Sequence, residues 1–361
     1  MAATRVLIAT PLYPPEPGGP ATYAALLEKY LPDEHIEVSL AVFSLVRNLP
    51  KIVRHIAYFF LLIKKGRGAS VVLALDPVSV GVPAYWYSRL SGKRYIVKIV
   101  GDYAWEQGTQ RFGITDALDV FVKRRSVPFV VQLLRAVQTH VARGADMVIV
   151  PSNYLRGIIS AWHLGHERIE VIHNAVTIDS IEPTQQIAHP YVITVGRLVS
   201  WKQFEKVIDA VVRARMTVPN LSLVIVGDGP LGDSLRAHAQ DVLGEACVFT
   251  GSLSHARTLG YMKHAEALVL YSTYEGLSHV LVEGLMLGLP VIASNIQANA
   301  DVLAEAGVLV DPADTEGLAN ALTEVVTNTA RAQTLAERAR SRAQDFSVHT
   351  MITRTRALLS V

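Results

Sequence analysis

Cysteine is almost missing, with Cys247 the single one in 361 residues. One thiol excludes a disulfide framework and a zinc site built on cysteine pairs, and it fits a reducing cytoplasm. Charge is also sparse, at 18% of residues, while half of the residues are hydrophobic. That composition excludes a disordered chain and is sufficient for one or two proper cores. No run of about 18 apolar residues occurs, so no transmembrane helix is predicted. The most lipid-like stretch, Ile52–Ile63, is short and is interrupted by Arg54 and His55. The start of the chain, Met1 to Arg5 leading into Val6–Ala9, lacks a basic segment before a long apolar core. No secretory signal is therefore expected.

The net charge of +2 is unevenly spread. Residues 1–185 carry 20 lysines and arginines against 15 acids, and the remainder carries 14 against 17. Between Arg47 and Gly68 stand Arg47, Lys51, Arg54, Lys64, Lys65 and Arg67 with no acid among them. They surround the apolar core IAYFFLLI, which is the composition of an interfacial helix. Two readings stay open for 47–68: a buried helix with solvated basic ends, or peripheral contact with an anionic membrane on the inner, cytoplasmic face. A nucleic-acid partner is not expected, because the basic residues flank apolar ones rather than interleaved exposed aromatics.

Apolar runs of strand length alternate with longer amphipathic stretches. In the first half they are Arg5–Thr10, Glu37–Phe43, Ser70–Leu75, Tyr95–Val100, Met147–Val150 and Glu170–Ile172. In the second they are Tyr191–Val195, Leu221–Val226, Cys247–Thr250, Ala267–Tyr271, Pro290–Ala293 and Val308–Val310. Near-continuous Val/Ile/Leu runs are expected of parallel strands buried on both faces. The rhythm predicts an α/β protein with two doubly wound parallel sheets, broken in the polar segment Thr177–Pro190. Among the helices it predicts are unbroken ones over Leu118–Arg143 and Leu318–Gln344. Ligands of such sheets bind beyond the carboxyl ends of the strands, so two facing sheets would form a cleft.

Several strand ends carry residues suited to phosphate and sugar. Gly196-Arg197 and Lys202 follow Tyr191–Val195. Glycine lets a large ligand approach the backbone, and two cations at a strand mouth suit a diphosphate that gains charge as it leaves. A turn with two solvated charges is the plainer alternative. Glu275-Gly276-Leu277-Ser278 follows Ala267–Tyr271 and leads into a helix running to about Leu287. Amides at a helix start bind anions, and a carboxylate beside them accepts from sugar hydroxyls. Glu283 lies inside that otherwise apolar helix, where a lone acid needs a partner such as a ribose diol. Gly227-Asp228-Gly229-Pro230 and Pro17-Gly18-Gly19 close other strands and are weak signals alone. At the fourth strand end, Asp102 and Glu106 stand beside Tyr103 and Trp105, which suits sugar hydroxyls and ring faces but equally a turn with Trp105 packed inward.

Together, G-R-L-x-x-x-K at 196–202, G-x-G-P at 227–230 and the Glu275/Glu283 pair before Gly288-Leu-Pro290 resemble family four of the retaining GT-B glycosyltransferases, also called glycosyl transferases group 1. Pro17-Gly18-Gly19, Ser152 and Ile172-His-Asn174 extend the likeness more weakly along the chain. The resemblance implies a GT-B fold: residues 1–180 as the acceptor-side domain, 188–345 as the nucleotide-sugar domain, and 346–361 as a helix crossing back. It further implies that Arg197 and Lys202 bind the diphosphate and that Glu275 holds the transferred sugar with the amides of Gly276, Leu277 and Ser278. Glu283 would bind the ribose, with Gly18 and Gly19 in the loop over the phosphates. Gly196, Gly227 and Gly229 would line the donor site. Such proteins generally need no metal or other cofactor.

The chain departs from that pattern in three places. Gln203 follows Lys202 where glycine is usual, and Ala175 follows Asn174 where Asn-Gly is common. Gly101-Asp102 also stands where many relatives have a histidine near the fourth strand end, so Asp102 is expected to contact sugar or orient the acceptor. The expected reaction is front-face, retaining hexosyl transfer from a UDP- or GDP-sugar to a glycan, lipid-linked sugar or small molecule. A GT-B phosphorylase, a nucleotide-sugar epimerase and a silent nucleotide-sugar-binding protein are the alternatives. A nicotinamide-dependent oxidoreductase would need a dinucleotide loop after the first strand, which Thr10-Pro-Leu-Tyr-Pro-Pro does not supply.

Overall fold

Strands that are apolar on both faces must be covered by helices on two sides, and the computed structural model has that arrangement in each half of the chain. It describes residues 4–16, 19–116, 118–178, 180–183, 187 and 190–360, without the side chains of Glu34, Lys51 and Ile52. The first sheet contains β1 (Thr4–Thr10), β2 (Ile36–Val42), β3 (Val71–Ala74), β4 (Arg94–Lys98), β5 (Met147–Val150) and β6 (Ile169–Val171). Its order is β2-β1-β3-β4-β5-β6, and every pairing is parallel. The second contains β7 (Tyr191–Val195), β8 (Ser222–Val226), β9 (Cys247–Gly251), β10 (Ala267–Leu270), β11 (Val291–Ser294) and β12 (Val308–Val310). Its order is β12-β11-β10-β7-β8-β9, again parallel throughout. Each of the twelve predicted strands is present, with ends shifted by no more than two residues.

The chain divides into two units, residues 1–175 with 348–361, and residues 176–347. In the second unit alternate strand residues feed two cores. Val192, Leu223, Ile225 and Val269 pack with Val207, Ile208 and Val211 of helix Phe204–Ala214 on one face. Ile193, Val224 and Leu268 pack with Leu281, Val282 and Leu285 of helix His279–Leu287 on the other. In the first unit the last helix, Val348–Leu359, buries Met351, Ile352 and Leu359 against Tyr23, Leu27 and Ile96. Tyr23 Oη bonds Thr355 Oγ1 at 3.2 Å, and the buried Lys98 ammonium lies 4.0 Å from the Tyr23 ring centroid.

Two long predicted helices are each divided. Leu118–Arg143 forms Leu118–Lys123 and Phe129–Arg143, because Pro128 has no N–H and disfavours helix at the residue before it. Arg135 then donates to the carbonyls of Phe121 (2.9 Å) and Arg124 (2.8 Å) at the broken end, satisfying groups that a continuous helix would have paired. Leu318–Gln344 forms Thr315–Thr327 and Thr329–Ala343, divided at Asn328, whose side chain caps the second helix by accepting from Arg331 N at 3.0 Å. No helix of the described residues is long and apolar enough to cross a membrane.

Candidate active site

The strand order of the second sheet reverses between β7 and β10, and at such a switch point the two following loops part to leave a crevice. The loop after β7 carries Gly196, Arg197 and Lys202, and the loop after β10 carries Glu275. The structure joins them across that point. Lys202 Nζ lies 2.5 Å from Glu275 Oε1, with side chains only 16% and 12% exposed. Ser272 Oγ donates to the same oxygen at 2.6 Å. The main chain is tied as well, since Thr273 N donates to Trp201 O at 2.7 Å. Arg197 is exposed, and its guanidinium has no acceptor among the described residues. One cation is thus held by an acid while a second stands free at the same strand end.

Lys202 is aimed by a single 3₁₀ turn, Ser200–Lys202, that ends on Gln203 at φ 51°, ψ 39°. That left-handed backbone is why glycine is usual there. Here the Gln203 side chain offsets the strain. With its amide oriented by its hydrogen-bond partners, it donates to Tyr271 O at 3.0 Å and Pro312 O at 3.3 Å, and accepts from Lys206 Nζ at 3.1 Å. Tyr271 precedes the Glu275 loop, so the substitution fastens the two loops together.

Gly227 and Gly229 have a steric reason that a phosphate loop does not require. A Cβ on Gly227, where φ is +135°, would stand 2.0 Å from Gly196 O, and one on Gly229 2.6 Å from Leu198 O. The loops after β7 and β8 are stitched at this approach by Leu198 N to Asp228 O (3.0 Å) and Leu231 N to Leu198 O (3.1 Å). These glycines support Arg197 and Lys202 from behind. Gly276 has open space where a Cβ would point, and the amides of Gly276, Leu277 and Ser278 have no acceptor among the described residues. The predicted helix begins only at His279, because Ser278 serves as its N-cap and accepts from Leu281 N at 3.4 Å.

Glu283 is 7% exposed, and its partner is one that the sequence reading missed. His255 Nε2 lies 3.0 Å from Glu283 Oε1, brought there by the start of helix His255–Lys263 after β9. His279 stands one turn before Glu283, and burial holds its imidazole below the usual histidine range despite the nearby carboxylate. The signal for His255 was present as Ser254-His255 directly after a strand and a Gly-Ser turn, but 28 residues separate it from Glu283.

In the first unit, Gly18 lies outside the described residues, and Gly19 is the exposed first residue of helix Gly19–Tyr30. Asp102 does not stand open to a ligand as expected. It is 1% exposed, its Oδ1 caps helix Tyr103–Arg111 through Trp105 N at 2.9 Å, and Gln138 Nε2 donates to it at 2.9 Å. The acid that reaches solvent there is Glu106. Incomplete hydration, then the charges of Asp76 and Asp102, push its carboxyl up to about 7. Asp76, which sequence reasoning did not single out, follows β3 and accepts from the amides of Val78 (2.8 Å), Ser79 and Val80 (3.4 Å). Trp105 directs its indole N–H to Asp116 O at 2.8 Å.

Residues 181–342, inside the second unit, match Glycosyl transferases group 1. A glycogen synthase of Mycobacterium tuberculosis is 33% identical over 233 residues, which is 62% of this chain and 56% of that one. The chain therefore spans about half the length of the curated relatives it matches. Among solved structures, Anabaena HepE in complex with UDP superposes with a TM-score of 0.74 at 18% identity, covering 99% of both chains. Sucrose-phosphate synthase from Thermosynechococcus elongatus gives 0.70 at 19% identity, covering 98% of both. The fold is GT-B, and residues 181–342 are similar to the glycosyl transferases group 1.

Proposed function

We propose that this protein transfers a sugar from a UDP- or GDP-linked donor to an acceptor, with retention at the anomeric carbon and without a metal ion. The observation that carries the proposal is the Lys202–Glu275 pair at the β7/β10 switch point beside the unpaired Arg197. The names of the relatives and the UDP in the HepE complex support a nucleotide-sugar donor. In this reading a diphosphate enters between the two cations, and Lys202 divides its charge between phosphate and Glu275. Glu275 accepts from hydroxyls of the transferred sugar, and the unpaired amides of 276–278 receive oxygens near the start of the helix. Glu283 and His255 bind the ribose.

The bond from the anomeric carbon to the diphosphate oxygen breaks first. Negative charge grows on the leaving oxygen, where Arg197 and Lys202 stabilise it in place of a metal. The acceptor oxygen then bonds the same carbon from the same face, and its proton passes to the leaving phosphate oxygen, so no protein base is required. Glycans, lipid-linked sugars and small molecules are the acceptor classes, and Glu106 with Asp76 supplies polar contacts on the acceptor side. Asp102 acts by positioning helix Tyr103–Arg111. We place the protein at the inner face of the membrane, with residues 47–68 making peripheral contact with anionic lipid.

The test is to screen UDP- and GDP-sugars for slow hydrolysis without acceptor, with and without a chelator. Chelator-resistant release of one nucleotide, with the sugar released in the donor's own anomeric form, is expected. Loss of turnover on chelation, or release in the opposite anomeric form, overturns the corresponding part of the reading.

A further inference from the structure

Helix Lys51–Lys65 is neither buried all round nor polar on its outer face. One face is buried through Tyr58 and Leu62, yet the opposite face is not solvated polar surface. Val53, Ile56, Phe60 and Ile63, at spacings that share one helix face, are 47%, 53%, 63% and 38% exposed. The next helix, Gly81–Ser91, adds Trp86 at 53% and Leu90 at 76%, one turn apart on its own surface. Between the two helices runs a groove of about 710 Å³ lined by Ile56, Phe59, Phe60, Val82, Pro83 and Trp86, with Arg54 and His55 on its wall. Contiguous exposed apolar surface of this kind marks a binding site, and the volume lies within the roughly 300–1,000 Å³ of small-molecule sites.

The charge around it selects the occupant. Arg54 has its Nε buried without a hydrogen-bond acceptor among the described residues, while Lys64, Lys65 and Arg67 are exposed at the end of the helix. Arg89 is exposed on the neighbouring helix, beside Leu90. No acid occurs between Arg47 and Gly68.

We propose that the groove between helices Lys51–Lys65 and Gly81–Ser91 binds the hydrocarbon chain of a single lipid whose phosphate headgroup lies against Arg54. This deepens the membrane contact proposed above and rests on the same face. A membrane surface alone would need the exposed stripe and the basic fringe. The groove adds a place for one chain to leave the bilayer, and so a means of holding a lipid-borne molecule on the acceptor-side unit.

The experiment uses the full-length protein with dodecyl, decyl and octyl phosphate below their micellar concentrations, and with phosphatidylcholine vesicles with and without phosphatidylglycerol. Monomeric dodecyl phosphate is expected to bind and to quench or shift Trp86 fluorescence, a change lost in Trp86→Phe. Affinity is expected to rise about fourfold per methylene along the series. Phe60→Ala is expected to weaken binding at least tenfold, and Arg54→Gln to abolish the preference for the phosphate over a maltoside of equal chain length. Donor hydrolysis should be unchanged in all three variants.

Binding to anionic vesicles without any binding of monomers would overturn the groove while leaving the surface contact standing. Absence of both would overturn both, and neither result touches sugar transfer. Chain-length-independent binding, or a dimer in sedimentation that Ile56→Glu dissolves, would also overturn the proposal, the latter by making a second copy the occupant.

Discussion

Replacing Lys202 by alanine tests the donor reading most directly, because structure and catalysis make different demands on that side chain. In the folded protein Lys202 is bonded to Glu275, and both side chains are mostly shielded. Removing the ammonium leaves Glu275 with Ser272 Oγ as a remaining donor at 2.6 Å, so the carboxylate is not stripped of partners. The stability cost is therefore below that of breaking a fully buried pair, about 1–3 kcal/mol. The catalytic cost is set by a preorganised cation missing where a diphosphate leaves, about 3 kcal/mol, or at least a hundredfold in turnover.

Turnover of the responsive nucleotide sugar is measured at saturating donor, alongside urea unfolding of the same preparation. Glu275→Gln keeps much of the shape and is expected to lose at least a hundredfold as well. The double variant should be far less impaired than the product of the two losses, since the pair acts as one unit. Lys202→Ala with a native unfolding curve and turnover within about threefold of wild type would refute the assignment. A double variant that recovers wild-type turnover would show the pair to be structural only.

Two further outcomes follow from the geometry. Gly227→Ala places a methyl 2.0 Å from Gly196 O at a left-handed φ, so it should lower unfolding free energy by about 2–3 kcal/mol in urea titration; an unchanged midpoint would sink the packing argument. Glu106, raised to about 7 from an ordinary 4.5, binds more protons folded than unfolded, so it contributes a stability loss that develops as pH rises from about 4.5 to about 7. Glu106→Gln should match the wild type near pH 4 and exceed it above pH 7 in thermal melts, and parallel pH profiles for the two proteins would contradict the raised carboxyl pKa.

Much of the architecture was legible because its signal is local. A strand covered on both faces must be apolar at consecutive positions, and β1, β7, β8, β10 and β11 carry that imprint whatever surrounds them. Gly196-Arg197 and Lys202 were legible because a strand end, a close backbone approach and two cations lie within seven residues. Helix ends were less legible. Leu118–Arg143 keeps a helical pattern up to Pro128, and the Arg135 bonds across the break, which no local pattern names, help to stabilise the division.

The chain by itself determined two parallel-sheet halves and the residue types gathered at their strand ends, since periodicity and covalent spacing record burial directly. Tertiary structure alone decided which of those residues meet. Lys202 and Glu275 are 73 positions apart and come together because β10 pairs with β7, while His255 and Glu283 meet because the helices after β9 and β10 converge. Asp102 and Glu106 sit in one turn, yet packing buries the first as a helix cap and leaves the second open to solvent. Ile56, Tyr58, Phe60 and Leu62 are interchangeable by composition. Their contrasting exposure was set by which face of one helix the sheet covers, and burial depends on neighbours that no local pattern names.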